Sequence, residues 1–151
     1  VSGSDTPTKI TYDTVEIENG VSIVSGSRIT FQYSGIYEVS YSPQVEKTQG
    51  TDSTIHWWLR KNNVDVPRSD SYLKLVSNSV LQLPFVSVIV DILQGDYVEL
   101  VMAASTQYTQ ITALPGKVYP TDPYNSPAAP SIILNVKNIG VAAVAYTSTS
   151  E

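Results

Sequence analysis

Few residues in this chain have the types and spacing to do chemistry. The single histidine, His56, stands two residues before Trp58 and four before Arg60, so in an extended strand these three side chains share a face. An indole, an imidazole and a guanidinium together make a platform: the indole can stack on a sugar ring, and the guanidinium can bond hydroxyls or a carboxylate. His56, Trp58 and Arg60 are therefore the ligand-binding candidates. A structural reading competes with this one, in which Arg60 lies over Trp58 as a cation–π pair and another strand or the tail covers both. Ile55, Trp57 and Leu59 have the opposite parity and form a continuous apolar row for a core.

Catalysis is not expected. It needs a nucleophile with a base, carboxylates at a set separation, or a metal cage. With one imidazole and no cysteine, His-pair and Cys-ligated metal sites are excluded, and any Ser-His-Asp arrangement hangs on a mid-strand residue. G-x-S-x-G, the P-loop and G-x-G-x-x-G are absent. Asp65, Asp70, Asp91 and Asp96 follow no spacing that makes two of them converge. Asp122, Tyr124 and Asn125 in TDPYN offer oxygen ligands of the kind calcium takes, but Asp and Asn beside proline are ordinary turn formers, and that reading is preferred. Neither a cofactor nor a resident metal is expected.

The elements that must position these residues are strands. Two-residue alternation dominates, and no helix-period segment exceeds two turns. The runs TKITYDTVEI, VSIV, RITFQY, IYEVSYSPQV, STIHWWLRK, YLKLV, SVLQLPFVSVIVDIL, YVELVMAAS and SIILNVKNI are rich in Val, Ile, Thr and Tyr. Asn19-Gly20 is the strongest hairpin signal between such runs, and Ser25-Gly26, Ser34-Gly35 and Gly95-Asp96 mark further reversals. From Gln107 to Pro130, five prolines rule out an interior strand and predict an ordered surface loop. Nine or ten short strands over 151 residues predict an all-β sandwich or jelly roll built as one domain over 1–140. Residues 141–151 read as a tail: a last strand, an arm on a neighbour, or a frayed end.

Charged residues make up 15% of the chain, against about 25% in typical globular proteins, so hydroxyls and amides must carry surface solubility. A net charge of −5 and no basic cluster longer than Arg60-Lys61 argue against nucleic acid as a partner. The opening VSGSDTPTK has no apolar h-region, and nowhere do 18 apolar residues run uninterrupted, so neither a signal peptide nor a membrane span is expected. A chain that begins at Val1 and has its sole methionine at Met102 reads as a piece of something longer.

Alternation also assigns faces. Tyr37, Val39 and Tyr41 point one way, leaving Ile36, Glu38, Ser40 and Ser42 on the other. Val86, Val88, Val90 and Ile92 form a β-branched row, opposite Phe85, Ser87, Ile89 and Asp91. Ile132, Leu134 and Val136 enter the core, while Ile133 and Asn135 face out. A face carrying Phe85 and Ile89 among polar residues suits a subunit interface. The bland alternative is that these apolar residues are scattered on the surface or lie beneath a loop.

Three blocks carry a family resemblance. FQYSGIYEVSYSPQV resembles the strand pair opening the core of TNF/C1q-like jelly rolls, VSVIVDILQGDYVELVM their paired late strands, and PSIILNVKNI their closing strand. WLRKNNVDVPRSDS followed by LPFVSVIVDILQGDYVEL is similar to a TNF-like domain of bacteriophage and large algal virus structural proteins, with the pattern W-x-R-x-N-G-x-D-V-P-x-S. The match covers roughly residues 10 to 139; Asn63 replaces a frequent Gly, and the tail from Gly140 has no counterpart. The resemblance implies a tight homotrimer with one sheet of each jelly roll facing the threefold axis. It makes Glu38, Ser40, Phe85, Ile89, Ile133 and Asn135 the interface candidates. It further implies binding or scaffolding on a virion surface, with other virion proteins and a host-surface glycan or protein as partners. A cellular or bacterial C1q-like lectin or adhesin, acting outside the cell, is the alternative.

Overall fold

STIHWWLRK alternates as its sequence requires: in β6 (Ser53–Lys61), Ile55, Trp57 and Leu59 are buried while Thr54, His56, Trp58 and Arg60 are half-buried. In the computed structural model, which describes residues 6–140, 145 and 147–149, every strand pairing is antiparallel and no helix occurs among the described residues. Before β6 come β1 (Thr8–Lys9), β2 (Val21–Val24), β3 (Arg28–Phe31), β4 (Gly35–Pro43) and β5 (Val45–Lys47). After it come β7 (Val64–Asp65), β8 (Ser71–Leu75), β9 (Val86–Ile92), β10 (Tyr97–Ala104), β11 (Thr109–Ile111) and β12 (Ile132–Gly140).

The larger sheet runs β2-β3-β10-β6, with β7 and β8 on the far side of β6 and β1 beside β10. The second sheet runs β12-β4-β9, and β5 pairs with β11 as a separate ribbon. One apolar cluster takes Tyr37, Val39 and Tyr41 from β4 and Val90 and Ile92 from β9 together with Ile55, Trp57 and Leu59 from β6 and Val98, Leu100 and Met102 from β10. Both sheets thus bury one face of their alternation in a shared core, consistent with a β-sandwich. Ile132, Leu134 and Val136 pack against its margin, as their parity predicts.

Polar groups fasten the periphery. Glu99 on β10 is fully buried; Ser27 donates to its Oε2 at 2.6 Å, and the Lys9 ammonium sits 3.0 Å from Oε1 as an ion pair outside hydrogen-bond alignment. Burial works to raise this carboxyl's pKa, but the Ser27 and Lys9 contacts outweigh it and leave the group below its usual range. Lys47, 1% exposed, reaches the Asn78 Oδ1 at 2.7 Å and the Gly50 carbonyl at 3.0 Å, and its own carbonyl accepts from the Ser79 N–H. The Tyr12 and Tyr41 hydroxyls and the Trp57 Nε1 are buried with no hydrogen-bond partner. Burial pushes the two phenol pKa values well up.

Several boundaries differ from the alternation. TKITYDTVEI pairs only at β1; Ile10 and Tyr12 still turn inward, but their N–H groups go to the Leu100 and Gly26 carbonyls rather than into a continuing ladder. Asn19-Gly20 therefore joins no two strands, and the hairpin lies at Ser25–Ser27, between the Val24 and Arg28 partners. SVLQLP is irregular apart from a bridge between Gln82 and Val45. The proline-containing stretch includes β11 at its start and is otherwise ordered by bridges from Leu114 to Ala129 and from Lys117 to Ser126. The expected last strand or arm beyond Gly140 lies largely outside the described residues.

Candidate functional site

The outward side of β6 carries a shallow, open cleft. Asn62 and Asn63 both adopt positive φ (47° and 67°), the backbone a two-residue type I′ turn requires, and asparagine tolerates it. The turn pairs Lys61 with Val64 and Arg60 with Asp65. Asp65 Oδ1 then accepts from both Trp58 Nε1, at 2.9 Å, and Arg60 Nε, at 2.8 Å. These two bonds, Arg60's first, hold the Asp65 carboxyl below its ordinary pKa range.

From Asp65 the chain folds back along β6. The Val66 N–H bonds to the Leu59 carbonyl at 2.8 Å, and the Leu59 N–H to Ser69 Oγ, a side chain only 2% exposed, at 3.0 Å. Between them Arg68 is held at φ 59°, a conformation non-glycine residues seldom adopt. Asp70 then meets His56, Oδ2 to Nδ1 at 2.9 Å, and Tyr72 on β8 stacks on the imidazole at 5.5 Å between ring centroids. The arm and the strand enclose an open cleft of about 280 Å³ lined by His56, Trp58, Asp65, Val66, Arg68 and Asp70.

Of the three residues chosen from sequence, His56 and Trp58 line the cleft; Arg60 does not, because its Nε is turned to Asp65. What joins Arg60 to Trp58 is a shared carboxylate, while the cation–π contact among the described residues is Arg28 over Tyr97, 4.5 Å from the ring centroid. Arg68 is the lining residue that sequence reasoning did not name, and Asp65 and Asp70, for which the spacing gave no reason to converge, both meet β6 here. The Asn62-Asn63 pair carried the signal, since a two-residue turn after Lys61 sets Asp65 opposite Arg60. Asp91 and Asp96 do not join them: Asp91 lies on β9, and Asp96 accepts from Asn62 and from the Leu93 N–H in the β9–β10 turn.

The outward face of β12-β4-β9 is built differently. Cross-strand rows run Asn135, Ser40, Ser87 and Lys137, Glu38, Ile89. Glu38 accepts from the Ser87 hydroxyl at 2.9 Å and pairs with Lys137 at 3.3 Å, and these contacts hold its carboxyl below the usual range. Phe85 and Ile133 stand 68% and 53% exposed at one end, Asn135 is exposed, and Ile89 is half-buried. Ser40, at 9%, is already covered by its neighbours within the chain.

In TDPYN the oxygens serve the loop itself. Asp122 accepts from the Val118 N–H and pairs with Lys117, and Asn125 Oδ1 accepts from the Tyr119 N–H. Among the described residues no group of three His, Asp or Glu side chains is placed to hold a metal ion. No protein-family model matches the chain, and a search of curated proteins finds no match.

Proposed function

We propose that the chain is a jelly-roll module of TNF/C1q type that assembles as a homotrimer and serves as a virion surface or fibre-head component contacting a host surface. The distribution of strands supports the jelly-roll reading. Strands β3, β6, β8 and β10 lie in one sheet and β4, β9 and β12 in the other, so the chain passes repeatedly between sheets as a double Greek key does.

The observation that carries the assembly is the outward face of β12-β4-β9. Phe85 and Ile133 are more than half exposed at one end of it, Glu38 and Lys137 at its centre are paired with each other, and Asp91 lies at the opposite end, across from Ile36. Burying the Phe85–Ile133 end against a copy of itself removes apolar surface from water, with Asp91 left at the far end of the strand. β9 and β12 are also edge strands of their sheet among the described residues, and open edges favour a partner. The virion role rests on the W-x-R-x-N-x-x-D-V-P-x-S stretch from Trp58 to Ser69 and its ordered downstream blocks. The polar cleft on β6 favours a second reading, an extracellular C1q-like lectin or adhesin.

Light scattering tests the assembly. A mass near three times 16.4 kDa is expected, and a clean monomer at micromolar concentration overturns the reading.

A further inference from the structure

We infer that the cleft between β6 and the 64–70 arm is a subsite for one neutral, polyhydroxylated ring such as a hexose unit of a glycan. Asp65 and Asp70 accept its hydroxyls, Arg68 donates to it, and Trp58 supplies the apolar contact. The inference rests on the ligand-binding half of the proposed function and is independent of the trimer.

The open valences argue for hydroxyl donors. Asp65 spends Oδ1 on Trp58 and Arg60, and Asp70 spends Oδ2 on His56; the other oxygen of each takes no hydrogen bond from any described residue. Each carboxylate is therefore fixed by one oxygen and presents the other, and an ionised carboxylate only accepts. Arg68 lines the same cleft and makes no ion pair among the described residues, and its guanidinium only donates. A ligand that both donates and accepts at adjacent atoms fits this set, as vicinal hydroxyls do.

Charge and size narrow the class. Asp65 is already paired with Arg60, which leaves Asp70 against the unpaired Arg68, so the cleft has no excess positive charge to draw an anion, and the chain carries −5 overall; a neutral ligand is favoured over acidic sugars and phosphates. The apolar lining is the indole and Val66, enough to contact the C–H face of a ring but too little for a lipid or a wholly apolar ligand. The cleft's 280 Å³ falls just below the roughly 300–1,000 Å³ that encloses a drug-sized ligand, which leaves room for about one ring with the rest of a chain in solvent. The arm is already tied to Leu59 by Val66 and Ser69, so little ordering is left to oppose binding.

The test uses the ¹⁵N-labelled full chain and follows its two indole N–H resonances, assigned with Trp58→Phe. Methyl glucoside, galactoside and mannoside and the corresponding neutral disaccharides are titrated to tens of millimolar, with glucuronate and sialic acid alongside. Saturable movement of the Trp58 signal with a neutral sugar, the buried Trp57 signal staying still, is the expected result. Asp70→Asn and Arg68→Ala should each weaken that binding about tenfold, the worth of one charge-assisted hydrogen bond. No movement with any neutral sugar overturns the inference, as does movement with the acidic sugars alone. Binding unchanged in both variants overturns the residue assignment. Light scattering on the same samples reports assembly, so failure of the trimer and failure of the subsite are read separately.

Discussion

On the outward side of β12-β4-β9, polar groups satisfy one another sideways along the sheet, Ser87 to Glu38 to Lys137, and Phe85 and Ile133 are left standing in water. On the outward side of β6, the 64–70 arm runs back alongside the strand, and its two carboxylates take the strand's donors, Trp58 and Arg60 to Asp65 and His56 to Asp70. The first face is a pleated surface whose unmet need is apolar; the second is a hollow whose unmet need is hydrogen bonding. A broad, flat partner suits the former and a small polar one the latter. The difference comes from a single turn: β6 doubles back at Asn62-Asn63, whereas β4 among the described residues is flanked by β12 and β9.

The sharpest way to break this comparison is to charge the flat face. Phe85→Glu combined with Ile133→Glu should take the mass of the proposed trimer from three chains to one while leaving the Trp58 indole resonance in place. An unchanged trimer would show that assembly uses another surface. Within β6 the inner and outer tryptophans should separate by stability. Trp57→Ala removes a fully buried ring and is expected to cost about 3–5 kcal/mol in denaturant unfolding, against on the order of 1 kcal/mol for Trp58→Ala, which loses one hydrogen bond and a partly exposed ring. Equal losses would mean that the outer ring is as much core as the inner.

A smaller effect is expected from Asn63→Gly. Glycine meets φ 67° without a side-chain penalty but gains entropy in the unfolded chain, so the hairpin should keep its register and stability should move by less than about 1 kcal/mol. Loss of the Trp58–Asp65 contact in that variant, seen as an indole shift, would refute the turn's role. Acid titration should give the slightest change. Glu38 and Asp65, one on each face, are both held below their unfolded pKa values, so their stabilisation is present above about pH 4 and is lost as pH falls through the lowered folded values. Glu38→Gln and Asp65→Asn should each flatten the acid limb of a stability–pH curve, Asp65→Asn also moving the Trp58 indole signal.

Long strands were legible because sustained alternation leaves little choice of face: β6 and the 132–137 part of β12 carry the sets their parity predicts, and β4 does so except at Ser40, which is buried although its parity points outward. β5 and β11 were not, since three residues are too short for a period and their pairing is set by a partner more than 60 residues away. Around Asn19-Gly20, alternation continues without a neighbouring strand to pair with, and a sequence pattern has no way to show that vacancy. The cleft was half legible. Parity brings His56 and Trp58 together, but the partner of Arg60, Asp65, lies beyond a turn that has to be given its type before the register can be read. The unpartnered Trp57 Nε1 and the Tyr12 and Tyr41 hydroxyls left no trace in the sequence, where they look like any inward aromatic.

Lys47, sealed against Asn78 and Gly50, has a consequence for how the chain meets proteases. Trypsin needs a basic side chain it can draw into its own pocket on an extended, accessible segment, and this one is occupied from within. Of the nine basic residues, Arg68 in the β7–β8 arm and Lys117 in the proline loop are the ones that lie outside the named strands, both on exposed loop segments, Lys117 held by a single bridge to Ser126. Limited digestion should therefore begin at those two loops and spare the bond after Lys47, so that the segment joining β4 to β6 stays whole while the rims are trimmed.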